Sequence, residues 1–309
     1  MHDRGRPTIQ NTQPSSSNSF TNYFVPILFV VLWSTGFIGA KFGLPYAEPF
    51  TFLAIRMAIT LCVLLPVVLL FVKKWMSWSA IGHSMFTGIL IHACYLGAVF
   101  YAISQGMSAG VSSLVVALQP LLTSFIAWFM LGERISMKKI AALSTALVGV
   151  MLVLSPRITG GAAAEGITTF NIVCIFFSVV AISFGTVYQK KFVPKTDLRA
   201  SAAAQYFGAL IPMALFSFLS ETREVVWSGE FIFALFWLVF ILSIGAVSLL
   251  MFLIRRDSAA QTASLFYLVP VSTAIIAYFV FGEKLSLVQI VGMFIVVGSV
   301  AYASRQTKK

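Results

Sequence analysis

The stretch SAGVSSLVVALQPLLTSFIAWFMLGERIS at residues 108–136 recurs as SAAQTASLFYLVPVSTAIIAYFVFGEKLS at residues 258–286. Eleven of the 29 aligned positions are identical at an offset of 150 residues, and Pro120 and Pro270 are one identical pair. The offset is close to half of the 309-residue chain. Internal repeats of this size in a hydrophobic chain are typical of membrane transporters, so the sequence indicates two copies of one unit.

The composition indicates an integral membrane protein. Hydrophobic residues make up 59% and charged residues 10% of the sequence, whereas soluble domains have roughly half and a quarter. One soluble core could not bury this much apolar surface. We therefore expect an all-α integral membrane protein whose partners include the lipid bilayer. The three cysteines show no metal-ligand spacing, so neither a metal nor another cofactor is expected.

Ten apolar stretches approach the roughly 20 residues that a helix needs to cross a bilayer. They predict helices at 23–44, 50–72, 80–104, 108–131, 138–155, 168–189, 201–219, 231–253, 258–281 and 286–304. Each repeat then contains five spans. The predicted parts of the chain are a disordered cytoplasmic tail at 1–22, a first five-helix repeat at 23–155, a linker at 156–167, a second repeat at 168–304 and a cytoplasmic tail at 305–309.

The basic residues predict the orientation of these spans. With the N-terminus inside, sixteen Lys and Arg residues fall in cytoplasmic segments and four in outer segments, which satisfies the positive-inside rule. We expect a multi-pass protein of the inner (plasma) membrane with both termini in the cytoplasm. The net charge of +11 thus reflects topology, and no nucleic-acid partner is expected. Five spans per repeat invert the second copy relative to the first, which is a route to alternating access.

The order of these motifs resembles the EamA-type members of the drug/metabolite transporter superfamily. The first repeat reads WSTGFIGAKFGL, FLAIRMAIT, FYAISQGMSAG, LQPLLTSFIAWFMLGERIS and ALVGVMLV, and the second reads FLIRRDSAAQTASLFYLVPVSTAIIAYFVFGEKLS with a later glycine, Gly298. The resemblance covers about residues 23–304. It implies ten helices around a central cavity and secondary transport, often export, of metabolites or drugs. It does not imply one substrate.

Pro120 and Pro270 fall near the middle of equivalent spans. A proline inside a helix removes one backbone donor and clashes with the carbonyl four residues back, which belongs here to Val116 and Phe266. Freed carbonyls at this depth must face protein or water. We expect a pair of symmetry-related kinks, which either line the cavity and hinge its gates or are structural bends without substrate contact.

Arg56 and His92 are the polar residues that stand out within spans. Arg56 is either a cavity residue that favours an anionic group such as a carboxylate or a cation that snorkels to the outer interface. Lys41 lies at the same side, and Glu48 could neutralise either Arg56 or Lys41. Its repeat partner is the neutral Gln205. His92 is either a cavity ligand or proton carrier, or a structural histidine that is satisfied by a hydrogen bond.

The remaining polar and aromatic residues at span depth complete a predicted pocket, because such pockets combine aromatic walls with a few placed polar groups. The predicted cavity and gating residues are Trp33, Ser34, Arg56, His92, Tyr95, Tyr101, Gln119, Pro120, Tyr188, Gln205, Tyr267 and Pro270. The leading hypothesis is a secondary transporter of a small organic metabolite or drug that works by alternating access and exports its substrate. The alternatives are an importer of the same class of solute and an intramembrane enzyme.

The enzyme hypothesis lacks support in the motifs. No HExxH or nucleotide-binding GxxxxGK[ST] pattern occurs, and no acidic residue lies deep within a span, so no catalytic residue is assigned. The same lack of a deep carboxylate disfavours proton coupling through an acid. The identity of the substrate and the choice between a monomer and a homodimer stay open at this point.

Overall fold

The described residues form ten helical spans that cross the molecule back and forth. A computed structural model describes residues 18–132, 137–155, 167–193, 196–247, 249, 252–253 and 265–305. The spans are α1 (Asn18–Gly43), α2 (Pro49–Phe71), α3 (Trp78–Ser104), α4 (Ala109–Leu131), α5 (Met137–Leu154), α6 (Thr169–Phe192), α7 (Leu198–Ser220), α8 (Gly229–Ala246), α9 (Phe266–Phe281) and α10 (Leu287–Arg305). The first begins five residues earlier than predicted, and most of the predicted tail and linker lies outside the described residues.

The lengths and outer surfaces of these helices fit a bilayer. Seven of them are long and apolar enough to span one, and α5, α9 and α10 are shorter apolar helices. Large apolar side chains cover the outside of the bundle, and Leu70, Phe129 and Phe279 are among the most exposed. Such a surface is stable only against lipid. The predicted ten-helix all-α membrane fold is therefore confirmed.

Within the described ranges, four spans are interrupted, and the interruptions pair across the repeats. A π-helical segment occupies Ile89–Cys94 in α3, and another occupies Trp237–Ala246 in α8, about 150 residues later. The helix of α4 is broken at 117–118, and a 3₁₀ turn occupies Phe266–Leu268 in α9. Each repeat therefore contains one π segment and one break at equivalent positions.

The prolines lie next to the breaks and not inside a continuous helix. Pro120 and Pro270 occupy the first turn of the helical segments that begin at Gln119 and Val269, where a missing N–H costs little. The expectation that the Phe266 carbonyl is freed is wrong, because it accepts the backbone N–H of Val269. The chain avoids the clash by ending one helix before the proline and starting another.

The two ends of the bundle differ in charge. Glu48, Glu221, Glu224 and Glu283 lie at one end, which we call the acidic end; Lys73, Lys74, Lys190, Lys191 and Arg199 lie at the other, which we call the basic end. The equivalent glycines Gly132 and Gly282 end α4 and the equivalent helix α9 with φ of 68° and 67°, a conformation that favours glycine. Gly132 lies at the basic end and Gly282 at the acidic end, so the repeats run in opposite directions.

Glycines set how closely the helices approach. A Cβ on Gly149 would lie 2.8 Å from the Gly292 carbonyl oxygen, and one on Gly292 would lie 2.6 Å from that of Gly149. These residues join α5 to α10, whereas Gly298 of the family-like pattern faces open space. Gly39 similarly packs on Leu238, and this contact joins α1 to α8.

The closest approach joins α3 to α7 beside the polar interior. A Cβ on Gly88 would lie 2.0 Å from the Gln205 carbonyl oxygen, and one on Gly208 would lie 2.4 Å from that of Met85. Only a residue without a side chain fits at either position. This crossing holds the π segment of α3 against Tyr206.

We expect Gly88→Ala to lower the stability of the protein by about 1–3 kcal/mol, because the new methyl group overpacks the α3–α7 crossing. Gly82 lies in the same helix and has no neighbour within 4 Å of an added Cβ. Gly82→Ala should therefore be neutral or stabilising by about 0.5–1 kcal/mol. Thermal unfolding in detergent measures both variants, and equal midpoints would contradict the importance of this crossing.

Candidate functional site

A cavity of about 130 Å³ lies inside the bundle, where the two π segments face each other. Its walls come from α1, α2, α3, α6, α7 and α8. The lining residues are Trp33, Gly36, Phe37, Arg56, Ile91, His92, Tyr95, Leu96, Val99, Phe100, Ile182, Tyr206, Leu242, Ser243 and Val247. The space is sufficient for several water molecules or the polar head of a small solute. Four of the residues predicted from the sequence, Trp33, Arg56, His92 and Tyr95, lie together in this wall.

Arg56 is the charged residue of the cavity wall. Its side chain comes from α2, and only 4% of the residue is exposed. Nη2 donates to Ser243 Oγ at 3.1 Å, whereas Nε is buried and has no hydrogen-bond partner. No carboxylate of the described residues pairs with this guanidinium. Of the two alternatives for Arg56, the geometry favours the cavity residue over the snorkelling cation.

The π segment of α8 explains why Ser243 can reach Arg56. Ser243 Oγ donates at 2.9 Å to the carbonyl of Leu238, five residues earlier. The same oxygen accepts the Arg56 hydrogen bond. A π segment widens the helix by one residue per turn and re-aims side chains, which is why such segments are frequent at functional sites. The sequence WLVFILSIGA contains no proline that would have indicated this segment.

Aromatic rings form the other walls. His92 stacks on Tyr206 with ring centroids 4.6 Å apart and an interplanar angle of 12°. Trp33 meets Phe266 edge to face at 5.1 Å. These contacts fix the rings in place and leave an interior that suits an apolar or aromatic body.

A second, smaller cavity of about 40 Å³ adjoins the first. The two share Trp33, Phe37, Tyr95 and Ile182 in their walls. The smaller one is also lined by Ser113, Val116, Ala117, Gln119, Pro120, Phe266, Val269 and Pro270. The helical segments that begin at Gln119 and Val269 therefore start at its wall.

Five of the predicted site residues lie elsewhere. Ser34 donates to the carbonyls of Val30 and Val269 and joins α1 to α9. Gln205 donates to Ser201. Tyr188 bonds His83 at 2.7 Å near the basic end, and Tyr101 stacks on Phe50 in the groove described next. Tyr267 is buried at 5% exposure. The wall residues Phe37, Leu242, Ser243 and Phe266 were missed, because an isolated serine or apolar residue in a span gives no signal of its own.

A larger groove of about 1050 Å³ opens at the acidic end between α3, α6 and α7. Two reciprocal carboxylate caps fix its rim. Glu221 accepts the backbone N–H groups of Phe50 and Thr51 at 2.7 and 2.6 Å, and Glu48 accepts that of Thr222 at 2.7 Å. Glu48 therefore neutralises neither Arg56 nor Lys41.

Lys41 and Glu283 form a clamp at the acidic end. Lys41 Nζ lies 2.6 Å from Glu283 Oε1. The same carboxylate accepts the backbone N–H groups of Ala109 and Gly110 at 3.0 and 3.2 Å. A carboxylate at a helix N-terminus satisfies unpaired donors and complements the helix dipole. Three spans, α1, α4 and α9, thus meet on one side chain.

At the basic end, Asp197, Arg199 and Lys191 form hydrogen bonds with nearby groups. Asp197 caps α7, and hydrogen bonds from the Arg199 side chain lower the pKa of Asp197 to about 2. Lys191 donates to the carbonyl of Met130 at 2.9 Å. Within the described part of the chain, no cluster of three His, Cys, Asp or Glu residues could hold a metal ion.

The fold and the cavity define a class of protein. A membrane protein that is built from inverted repeats, with broken helices around an internal cavity, has the architecture of a secondary transporter. The EamA-like transporter family matches the chain twice, at residues 21–155 and 169–305. The chain belongs to the EamA-like transporter family, and it is a transporter and not an enzyme.

Proteins with curated names also resemble it. A protein of Salmonella typhimurium named "Probable amino-acid metabolite efflux pump" is 25% identical over 88% of this chain and 91% of its own length. An Escherichia coli protein with the same name is 24% identical over 87% and 90%. One crystal structure aligns with 94% of this chain and 99% of its own at a TM-score of 0.63 and 20% identity, which supports the fold alone.

We expect Glu283→Gln to destabilise the protein, because it removes the charge that pairs with Lys41 and weakens the cap on α4. The exchanged pair Lys41→Glu with Glu283→Lys should fail to restore stability. It restores the attraction between positions 41 and 283 but leaves Ala109 and Gly110 without an acceptor. Glu224→Gln, at the same end, is the matched control and should be neutral. Thermal unfolding reports all of these, and full recovery in the exchanged pair would show that the ion pair alone matters.

Proposed function

We propose that the chain exports a small organic metabolite by alternating access, with the Arg56 cavity as the substrate site. The observation that carries this proposal is the arrangement of the four helix interruptions. All of them lie at the walls of the two adjoining cavities. Irregular backbone within a membrane is tolerated only where it faces protein or a polar cavity.

The inverted repeats support the mechanism. Equivalent interruptions in α3 and α8, and in α4 and α9, give the two inverted repeats the same irregular segments around the cavities. Two conformations of similar free energy can then interchange the roles of the repeats, and each exposes the cavity to one side. The names of the relatives from Salmonella typhimurium and Escherichia coli support export.

We propose further that the protein lies in the inner membrane with its basic end and both termini in the cytoplasm. The excess of Lys and Arg at that end supports this orientation. A cytoplasmic reporter fused after Trp75 should be active, and one fused after Glu283 should be inactive. The opposite pattern would reverse the orientation.

Purified protein in liposomes tests the transport proposal. Liposomes that contain a defined mixture of amino acids, their N-acetyl derivatives and 2-oxo acids should release at least one solute with saturable kinetics, as measured by mass spectrometry. Gly36 lines the cavity, and a side chain there would meet Leu242 at 3.1 Å. Gly36→Leu should therefore reduce the rate more than about tenfold, since a filled site cannot bind substrate.

Gly298→Leu is the control, because this glycine has no neighbour within 4 Å of an added Cβ. It should transport at the wild-type rate. Release without saturation would indicate a channel, and equal rates in the two variants would place the substrate path outside the Arg56 cavity. Reconstitution in both orientations separates export from import.

A further inference from the structure

Arg56 presents an unneutralised positive charge to the interior of the bundle. The residue is 96% buried, since its exposure is 4%. A serine hydroxyl is its hydrogen-bonded partner, and Nε has none. An unpaired buried charge is costly for a folded protein. A group that binds there and supplies a negative charge removes that cost, so the free site is suited to an anion.

The shape of the guanidinium narrows the class of anion. Its planar fork matches a carboxylate, which can accept two parallel hydrogen bonds. Nε and one terminal nitrogen form one edge of the fork, and Nε is the atom without a partner.

Among the residues that the structure describes, the walls of both cavities contain no acidic side chain. A substrate ammonium group would therefore find no counter-charge there, and only aromatic faces could stabilise it. Trp33, Phe37, Phe100 and Tyr206 instead present apolar, mostly aromatic surface to an uncharged body. The described part of the cavity wall thus has one cationic side chain and no anionic one.

We propose that Arg56 binds the carboxylate of the substrate, and that the cavity prefers organic monocarboxylates with uncharged apolar bodies over zwitterions. This inference rests on the proposed function, because it takes the Arg56 cavity as the substrate site. When the carboxylate binds, the site becomes neutral overall. A neutral, loaded site crosses the occluded state at lower cost than a charged, empty one, which favours movement of the carrier with substrate over movement without it.

Binding to the purified full-length protein in detergent tests the proposal with matched probes. The probes are 3-phenylpropionate, 3-phenylpropionamide and L-phenylalanine, together with 4-methylpentanoate and its amide for a smaller body. Each carboxylate should bind at least tenfold more tightly than its amide, as expected for a charge-assisted bidentate contact. L-Phenylalanine should bind about tenfold more weakly than 3-phenylpropionate, since its ammonium has no partner.

Variants assign the preference to Arg56. Arg56→Gln should abolish the difference between carboxylate and amide, and Arg56→Lys should retain part of it, because an ammonium supplies charge without the fork. Arg223→Gln changes an exposed arginine at the acidic end and should leave every affinity unchanged. The empty Arg56→Gln protein should melt at the same temperature as the wild type or higher, since it no longer buries an unpaired charge.

The outcomes are separable. If neither carboxylate binds more tightly than its amide in the wild type, or if the preference survives in Arg56→Gln, the proposal is wrong, and the wild-type comparison decides even if a variant does not fold. Equal affinity for L-phenylalanine and 3-phenylpropionate would contradict the preference over zwitterions. Saturable transport of other solutes without a carboxylate preference would refute this inference and leave the transporter proposal standing. Carboxylate binding without transport in liposomes would support the carboxylate site and contradict the proposed transport function.

Discussion

The central constraint on this molecule is that hydrocarbon offers no hydrogen bonds to the backbone. Ten helices satisfy their own N–H and C=O groups, and wherever a helix is interrupted the freed or re-aimed groups must face protein or a polar space. The interruptions at Ile89–Cys94, Trp237–Ala246, 117–118 and Phe266–Leu268 all lie around the same interior. The position of the cavity follows from that constraint.

Close helix packing at a few glycines holds this interior together. Gly88 and Gly208 bring α3 and α7 into backbone contact, and Gly149 and Gly292 do the same for α5 and α10. The first crossing lies beside the His92–Tyr206 stack and supports one wall of the cavity. At the acidic end the Glu283 carboxylate connects three spans. The cavity is thus held by backbone contacts on one side and by a charged cap at one end.

The architecture could be predicted from the sequence because the patterns that indicate it extend over many residues. Apolar stretches of about 20 residues predicted the spans, and the repeated proline predicted equivalent disruptions in α4 and α9. The site was predicted only in part. Arg56 and His92 stand out because charge and imidazole are rare in a span, but Ser243 does not, because a serine in an apolar helix usually bonds its own backbone. Ser34 donates to the backbone carbonyl of Val30 in its own helix, and Gln205 donates to the side chain of Ser201. Both residues lie outside the cavity wall.

The two π segments could not be predicted from the sequence. ILIHAC and WLVFILSIGA contain neither proline nor a Gly-Ser pair, so nothing local distinguishes them from ordinary helix. They form where tertiary packing stabilises an extra residue per turn. Ser243, which lies in one of these segments, accepts the hydrogen bond of Arg56. The contact between Ser243 and Arg56 therefore involves local geometry that residue propensity does not record.

The central claim is that the Arg56 cavity is reached alternately from both sides of the membrane. The most direct test introduces Ser243→Cys into a chain in which Cys62, Cys94 and Cys174 are replaced by serine, and measures its labelling by a membrane-impermeant thiol reagent in right-side-out and inside-out vesicles. Alternating access predicts that the cysteine at position 243 is labelled from both sides. The buried control Ser178→Cys, which lies outside the cavity wall, should not be labelled. Labelling of position 243 from one side alone would contradict it.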